Sequence, residues 1–382
     1  MGLFSIYVPT HVYFGEGRLQ RDLPDLIRKY DAQRILIVTD AGLMRVGIVP
    51  PIVELLEKQG MVVHVFGEVE PDPSVDTVHR VADVFRQARG ELLLAIGGGS
   101  SIDTAKGARV ILGHGGHIRD YAGIHAKPIK APVSIPLIAI PTTAGTGSEV
   151  TFFGVYSDWE NNVKVTVTSP FVAPDVALVD PSTTYSLPAK VTASTGIDVL
   201  AHAVEAFVSR AASHFSDTVA LRAMALVEGN LRAAVTDGAN REARNRMAEA
   251  SLLAGIAFNH AFLGLTHAVA AAVSGHAHVP HGVAIGLLLP HVMQFNLGAS
   301  PDKFRQIANA MAGSWDCTPE DAVLMVNTLT RDIGLPQTLR EVGVTESMLE
   351  GIARQSLTSV QLRFNPKNAT EQDIFKLVTA IY

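Results

Sequence analysis

The stretch LLLAIGGGSSIDTAKGARVIL (92–112) decides how the first half of this chain folds. Its apolar run, LLLAI (92–96), has the length and composition of a buried strand, and IDTAKGARVIL (102–112) reads as a helix. Three glycines and two serines separate the two segments. A strand, a glycine turn and a helix in this order predict one βα unit of a parallel sheet.

The same alternation of strand and helix extends on both sides of this stretch. Other β-branched runs, each predicted to be a strand, are ILIVT (35–39), VVHVF (62–66), PLIAI (136–140) and VALVD (176–180). Helical patterns lie between them, at 49–60 and 75–89. Repeated βα alternation favours an α/β domain with a parallel, Rossmann-like sheet wrapped by helices.

The second half of the chain has a different pattern. Beyond about residue 185 apolar residues recur at helical spacing, as in 217–235, 243–258 and 302–313. We therefore expect a dinucleotide-binding α/β domain at 1–185 and an all-helical metal-binding and substrate domain at 186–382. The active site is expected in the interdomain cleft.

Composition excludes several classes of function. The net charge of −6, without a dense Lys/Arg cluster, argues against a nucleic-acid partner. No apolar stretch reaches the roughly 18 uncharged residues that span a bilayer, and the first residues lack a basic segment followed by a long apolar one, so we expect no membrane partner and a cytoplasmic location. Cys317 is the only cysteine, which leaves His and carboxylates to hold any metal.

Two glycine-rich segments follow strands and suit a dinucleotide. At 97–101 the glycines let the backbone approach a pyrophosphate, which the N–H groups and dipole of the next helix would neutralise. The segment lacks the GxGxxG spacing, and an ordinary turn stays open as an interpretation. The second segment, PTTAGTGSE (141–149), suits a loop that touches a ribose or the nicotinamide, and it could also be a turn.

Asp40 lies at the end of the strand ILIVT. A carboxylate there can accept both ribose hydroxyls of an adenosine, and its charge would repel the 2′-phosphate of NADP. The alternative is an N-cap of the following helix. The functional interpretation predicts NAD as the cofactor.

Two groups of residues suit a metal. Asp198 and His202 are four apart in a helical segment and share one face, although a core histidine beside a helix-start Asp is an alternative. Histidines at 267, 276, 278 and 281 follow within fifteen residues, and His291 comes soon after. Three imidazoles and one carboxylate around Fe²⁺ or Zn²⁺ leave a position open for a substrate oxygen. Which of these histidines bind, or whether they only pack at the surface, is open at this point.

Five motifs together resemble the iron-containing (group III) alcohol dehydrogenases. They are GGGSSIDTAKG (97–107), PTTAGTGSEVT (141–151), GIDVLAHAVEAF (196–207), GLTHA (264–268) and PHGVAIGLLLPHVMQFN (280–296). The resemblance implies hydride transfer between NAD and a small alcohol or diol, giving its aldehyde or ketone. One divalent metal, Fe²⁺ or Zn²⁺, would lower the pKa of the alcohol. It also implies a homo-oligomer.

The resemblance assigns roles to individual residues. It implies four metal ligands, through which catalysis would run: Asp198, His202, His267 and His281. It leaves the other three clustered histidines as structural or supporting residues. The cofactor contacts that it implies are Asp40, Asp72, Gly97, Gly98, Ser100, Asp103, Thr142, Thr143, Thr146 and Lys164.

The chain departs from the family at Ala271. Members commonly have a second histidine four residues after the third ligand, and that histidine is the usual proton-relay candidate. In a helix Ala271 lies one turn from His267, so it should border the substrate and leave room for a bulkier one, in a pocket completed by Phe258 and Phe153. The alternative is that Ala271 only packs and that His278 serves the relay.

Two other functions are open. Dehydroquinate synthases share the architecture, NAD and a metal, but their acidic phosphorylated substrate demands several basic residues. The segments flanking Asp198, His202, His267 and His281 are nearly free of Lys and Arg, which favours a small uncharged substrate. A catalytically impaired nucleotide-binding relative is the third hypothesis, and Ala271 is the residue that raises it.

Overall fold

The computed structural model describes residues 4–123, 125–161 and 163–382. The chain divides into two compact units. The sheet unit comprises residues 5–143 and 147–186, and the helical unit comprises 144–146 and 187–382 together with Phe4. A domain boundary at 185/186 stays a prediction.

A six-stranded sheet with every pairing parallel forms the centre of the sheet unit. Its strands are β1 (His11–Phe14), β2 (Arg34–Val38), β3 (Val62–Phe66), β4 (Leu92–Gly97), β5 (Leu137–Pro141) and β8 (Val176–Val179). They lie in the order β1-β8-β5-β4-β2-β3. The predicted parallel sheet is confirmed.

Three strands were not expected from the sequence. β1 is only four residues long and lies at an edge of the sheet. The other two, β6 (Phe153–Asp158) and β7 (Val163–Thr168), form a separate antiparallel pair. The four residues of β1 are too few for a clear apolar pattern, and β6 and β7 lie outside the βα alternation on which the strand prediction depended.

Helices cover both faces of the parallel sheet. They are α1 (Arg18–Arg28), α2 (Ala41–Arg45), α3 (Val49–Lys58), α4 (Val75–Gln87) and α5 (Gly99–His114). Successive residues of β2 point to opposite faces: Leu36 joins the core that contains Val78 of α4, and Ile37 joins the core that contains Ile52 of α3. Burial on both faces explains the nearly continuous apolar runs in these strands.

The helical unit contains the remaining helices of the described chain. They are α6 (Ala189–Val208), α7 (His214–Thr236), α8 (Arg241–Ala261), α9 (Leu265–Ala277), α10 (His281–Leu297), α11 (Pro301–Ala312), α12 (Pro319–Asp332), α13 (Leu349–Ser356) and α14 (Glu371–Ala380). No strand follows β8 in the described residues, which confirms the predicted change to helix.

Helix α6 is the core helix of this unit. By length and composition it could cross a membrane, and α8 with α9 would also qualify if the pair were one span across its 103° bend. In α6, however, 83% of the apolar window is buried inside the protein. The apolar character of α6 is therefore accounted for by packing.

Candidate functional site

Helix α6 places a carboxylate and an imidazole side by side. Asp198 and His202 are both buried, 4% and 5% exposed. Their four-residue spacing puts them on one face of the helix, and His202 Nε2 lies 3.6 Å from Asp198 Oδ1. The same carboxylate oxygen is approached by two further histidines.

These two histidines come from the start of α9 and the start of α10. His267 Nε2 lies 3.4 Å from Asp198 Oδ1, and His281 Nε2 lies 3.8 Å from it. Asp198, His267 and His281 each offer a ligand atom within 4.8 Å of the others. In the part of the chain that the structure describes, this is the one such cluster. His202 is close to Asp198 but not within this distance of all three, and His276, His278 and His291 are also outside the cluster. Folding therefore separates these histidines into two sets.

The chemistry of this cluster fits a divalent ion. Two buried atoms that face each other in this cluster, Asp198 Oδ1 and His267 Nε2, have no hydrogen-bond partner among the described residues. Buried polar atoms without a partner are costly, and a cation at this point would remove the cost for those that bind it. With the neighbouring His202, the site offers three imidazoles and one carboxylate, a donor set that suits Fe²⁺ and Zn²⁺.

Charge at the cluster differs between the two buried histidines. Burial lowers the pKa of His202 to about 4, so its ring is neutral near pH 7. Burial also opposes protonation of His267, but Glu205 and Asp198 together raise the pKa of this imidazole to about 9. A metal ion would replace the proton that the two carboxylates attract to His267.

Glu205 is a residue that the sequence analysis did not single out. It is 3% exposed, and its Oε2 lies 2.6 Å from His267 Nδ1. The signal was available, because Glu205 falls three residues after His202 on the same predicted helix. A glutamate in an otherwise apolar helix face is rarely buried without a partner.

Two of the three expected pocket residues lie in the helical unit. Phe258 of α8 stacks on the His202 ring, with ring centroids 4.4 Å apart. Ala271 is exposed, although residues 265–270, 272 and 273 of the same helix are buried. Phe153 begins β6 in the sheet unit, where its carbonyl accepts a hydrogen bond from Lys106. Its place in a substrate pocket stays a prediction.

The first glycine-rich segment forms a tight turn between β4 and α5. A Cβ on Gly97 would lie 2.6 Å from the Cβ of Ser101, so only glycine fits there. Gly98 precedes α5, whose first turn, which includes Ser100, has no side-chain cap and no acidic residue. Uncapped N–H groups at the start of a helix of this length suit an anion such as a pyrophosphate.

The second glycine-rich segment begins beside this turn. Thr142 donates its N–H to the carbonyl of Gly97 at 3.0 Å, and a Cβ on Gly98 would lie 3.4 Å from the Thr143 hydroxyl. Thr146 lies further along, in the short piece that groups with the helical unit. The fold thus brings Gly97, Gly98 and both Thr142 and Thr143 together.

The expected acidic cofactor contacts are engaged within the protein. Asp40 caps α2 by accepting the Leu43 N–H at 3.0 Å, which was the alternative interpretation. Asp72 pairs with Lys164 at 2.7 Å, so two residues 92 apart in sequence are neighbours. Their contacts with a cofactor stay predictions.

Asp103 has the most extensive network of these acidic residues. Its Oδ1 accepts hydrogen bonds from Ser148 and Lys106, and its Oδ2 accepts the Val155 N–H at 3.0 Å. Asp103 therefore ties α5 to the loop after β5 and to β6. This structural role was not anticipated, and contact with a cofactor stays a prediction.

Comparison with known proteins covers nearly the whole chain. The family model described as "Iron-containing alcohol dehydrogenase" matches residues 9–181, and the one described as "Fe-containing alcohol dehydrogenase family, C-terminal" matches residues 192–382. The dehydroquinate synthase alternative is not favoured by these matches.

Similar proteins are alcohol dehydrogenases along their full length. Alcohol dehydrogenase 4 of Saccharomyces cerevisiae (strain YJM789) is 36% identical over 99% of this chain and 98% of its own. An NAD-dependent methanol dehydrogenase of Bacillus methanolicus is 36% identical over 98% of both. The structure of a 1,3-propanediol oxidoreductase superposes with a TM-score of 0.96 at 37% identity, covering 100% of both chains. The chain belongs to the iron-containing alcohol dehydrogenase family and is an alcohol–aldehyde oxidoreductase.

Proposed function

We propose that this enzyme interconverts a small uncharged alcohol or diol and its aldehyde or ketone, with NAD and one divalent ion per chain. The observation that carries the proposal is the convergence of three histidines on Asp198 Oδ1. They are His202, His267 and His281, and with Asp198 they come from three helices. The family's description as iron-containing makes Fe²⁺ the first candidate for the ion, and Zn²⁺, which the same donor set suits, is the second.

Each partner in the reaction has a defined task. The ion would act as a Lewis acid that lowers the pKa of the alcohol hydroxyl, and NAD would accept the hydride. The protein holds three imidazoles in place, two of them buried, and leaves His281 with 44% of its side chain exposed. The exposed ligand marks the side from which substrate would approach.

The surroundings of the ligands favour a neutral substrate. Helices α9 and α10 contain neither Lys nor Arg. An acidic or phosphorylated substrate would need such cations, because a charge that enters a buried site requires a partner. We propose that Phe258 and Ala271 line the substrate site, with Ala271 admitting larger alcohols than a histidine would.

We also propose that the enzyme is a cytoplasmic homo-oligomer. An exposed apolar segment that includes Ile6, Tyr7 and Val8 precedes the edge strand β1. Clustered exposed apolar side chains are typical of surfaces that pair with another subunit. This feature supports association between copies of the chain.

The test is NADH formation across a panel of two- to six-carbon alcohols and diols, with metal content measured on the same sample. We expect turnover with neutral alcohols, little with carboxylated or phosphorylated ones, and activity that scales with bound metal. Activity confined to acidic substrates, or independent of metal, would contradict the proposal. In the nearly isosteric variant Asp198→Asn, which removes the central negative charge, we expect both bound metal and activity to fall.

A further inference from the structure

We propose that Glu205 is the positioning residue of the metal centre. It holds His267 with the proton on Nδ1, so that the Nε2 lone pair points to the ion. The inference deepens the proposed function and rests on it, because it concerns the same four ligands. It assigns a role to a buried carboxylate that does not itself face the centre of the cluster.

The hydrogen bonds of Glu205 carry the argument. Its Oε2 lies 2.6 Å from His267 Nδ1 and accepts the Gly264 N–H at 3.1 Å. Its Oε1 accepts the Thr266 N–H at 2.6 Å. Three donors therefore converge on one buried carboxylate, and all three belong to the start of α9.

These bonds replace a missing helix cap. The residue before α9 is Gly264, which has no side chain to satisfy the first N–H groups of the helix. Glu205 reaches across from α6 and satisfies two of them. The same carboxylate thus orients the His267 ring and secures the backbone that carries it.

The bond to Nδ1 decides which nitrogen of His267 can bind metal. A neutral imidazole that donates Nδ1–H to a carboxylate has its lone pair on Nε2. This is the atom that lies 3.4 Å from Asp198 Oδ1 and has no hydrogen-bond partner among the described residues. His202 differs, because its Nδ1 lacks such a partner in the described part of the chain.

Helix α6 carries both carboxylates that contact the His267 ring. Asp198 and Glu205 are seven residues, or about two turns, apart on α6. One carboxylate faces the ligand atom of His267 and the other faces the opposite ring nitrogen. The ring is held between them.

Glu205→Gln tests the assignment in the full-length, metal-loaded protein. An amide has one acceptor oxygen and one donor group, so it cannot accept at both positions as the carboxylate does: if its oxygen faces the ring and Gly264, its NH₂ faces the Thr266 N–H. We expect Zn²⁺ affinity, measured by chelator competition, to fall roughly 10- to 100-fold. The d–d absorption bands of the Co²⁺-loaded protein should also shift.

Asn365→Ala is the matched control. Asn365 Oδ1 accepts the Leu265 N–H at 3.1 Å, so it secures the same helix start without a hydrogen bond to His267. We expect Asn365→Ala to lower the melting temperature while it leaves the Co²⁺ bands unchanged and reduces Zn²⁺ affinity less than Glu205→Gln. Equal losses of affinity in the two variants would overturn the proposal, because Glu205 would then act only on the helix start.

Glu205→Asp separates misfolding from the proposed effect. Aspartate keeps an acceptor-only group on a shorter side chain, so a folded Glu205→Asp protein should bind Zn²⁺ more tightly than Glu205→Gln. The assignment would be overturned if Glu205→Asp bound Zn²⁺ more weakly than Glu205→Gln, or if Glu205→Gln bound Zn²⁺ as tightly as the wild type. The two proposals can also fail separately. If the wild type binds Zn²⁺ and Glu205→Gln weakens that binding, but the wild type oxidises no alcohol, the role of Glu205 is supported and the proposed activity is overturned.

Discussion

At Ala271, beside the proposed metal ligands, the family resemblance implies a histidine instead. Ala271 lies one turn beyond His267 and is exposed on a helix whose neighbouring positions are buried. A methyl group there neither titrates nor fills the space of an imidazole. We therefore predict that this position affects both substrate size and proton transfer.

Ala271→His should narrow the substrate range. The larger ring would occupy space beside His267, so kcat/KM for five- to six-carbon alcohols should fall roughly 10- to 100-fold while ethanol is spared. A new titratable group near the substrate should also change the pH profile of kcat/KM. Steady-state kinetics on both substrate classes decide the question. An unchanged size preference and pH profile would mean that position 271 is remote from the chemistry.

Asp40 has a charge and a capping role that mutation can separate. Asp40→Asn keeps an oxygen that can accept the Leu43 N–H but removes the charge that would oppose a 2′-phosphate. The preference for NAD over NADP, as a ratio of kcat/KM, should fall by about tenfold. Asp40→Gly should reduce the preference for NAD over NADP similarly, and it should also lower stability because the helix cap is lost. Equal use of NAD and NADP by the wild-type protein would refute the assignment.

Within the sheet unit, a buried lysine of α5 holds the loop that follows β5. Lys106 is fully buried and donates to the Ser148 hydroxyl at 2.8 Å, the Thr151 hydroxyl at 3.1 Å and the Phe153 carbonyl at 2.7 Å. Beside it, burial raises the pKa of Glu149 from 4.5 to about 7, although Lys106 opposes the rise. Between pH 4.5 and about 7 the folded unit therefore holds a proton on Glu149 that the unfolded chain would release.

The stability of the protein should reflect this proton. The Glu149 pKa is higher in the folded state, so its favourable contribution is complete below about pH 4.5 and is lost as pH rises through 7. Between pH 5 and 8 the wild type should lose stability on the order of 1–3 kcal/mol relative to Glu149→Gln. Thermal unfolding at several pH values measures the difference. Glu160→Gln, at an exposed glutamate, is the control and should follow the wild type.

At the scale of the whole molecule, an ion bound at the proposed site would cross-link three helices of the helical unit. The proposed ligands, from Asp198 to His281, come from α6, α9 and α10. An ion that binds only the folded protein stabilises it by mass action, by about 2.7 kcal/mol at a free concentration one hundred times its Kd. Metal content and thermal stability should therefore change together.

His267→Ala and His281→Ala should each lose the ion and the stabilisation it provides. The wild type should contain about one divalent ion per chain, and chelation should lower its melting temperature. His291→Ala, an exposed histidine of α10 outside the cluster, should behave as the wild type. Elemental analysis and thermal scans with and without chelator measure both effects. Full occupancy and activity in both ligand variants would show that the ligands lie elsewhere.

The sequence by itself determined the parallel sheet, the helical second half and a short set of candidate ligands. These conclusions depend on local order: apolar periodicity within a segment, the four-residue spacing of Asp198 and His202, and motifs that resemble a family. Each of these patterns can be recognised within a single short segment of the chain. The strand β1 was missed because it has only four residues, and β6 and β7 were missed because they lie outside the βα alternation.

Only the tertiary structure decided which side chains meet. It brings His267 and His281 to Asp198 and keeps His276 and His278 outside the cluster, a division that the resemblance implied but spacing left open. It also places Glu205 against His267, 62 residues away, and closes both oxygens of Asp103 onto neighbouring elements. Such contacts depend on how helices and strands pack, and packing is a property of the whole fold that no single segment contains.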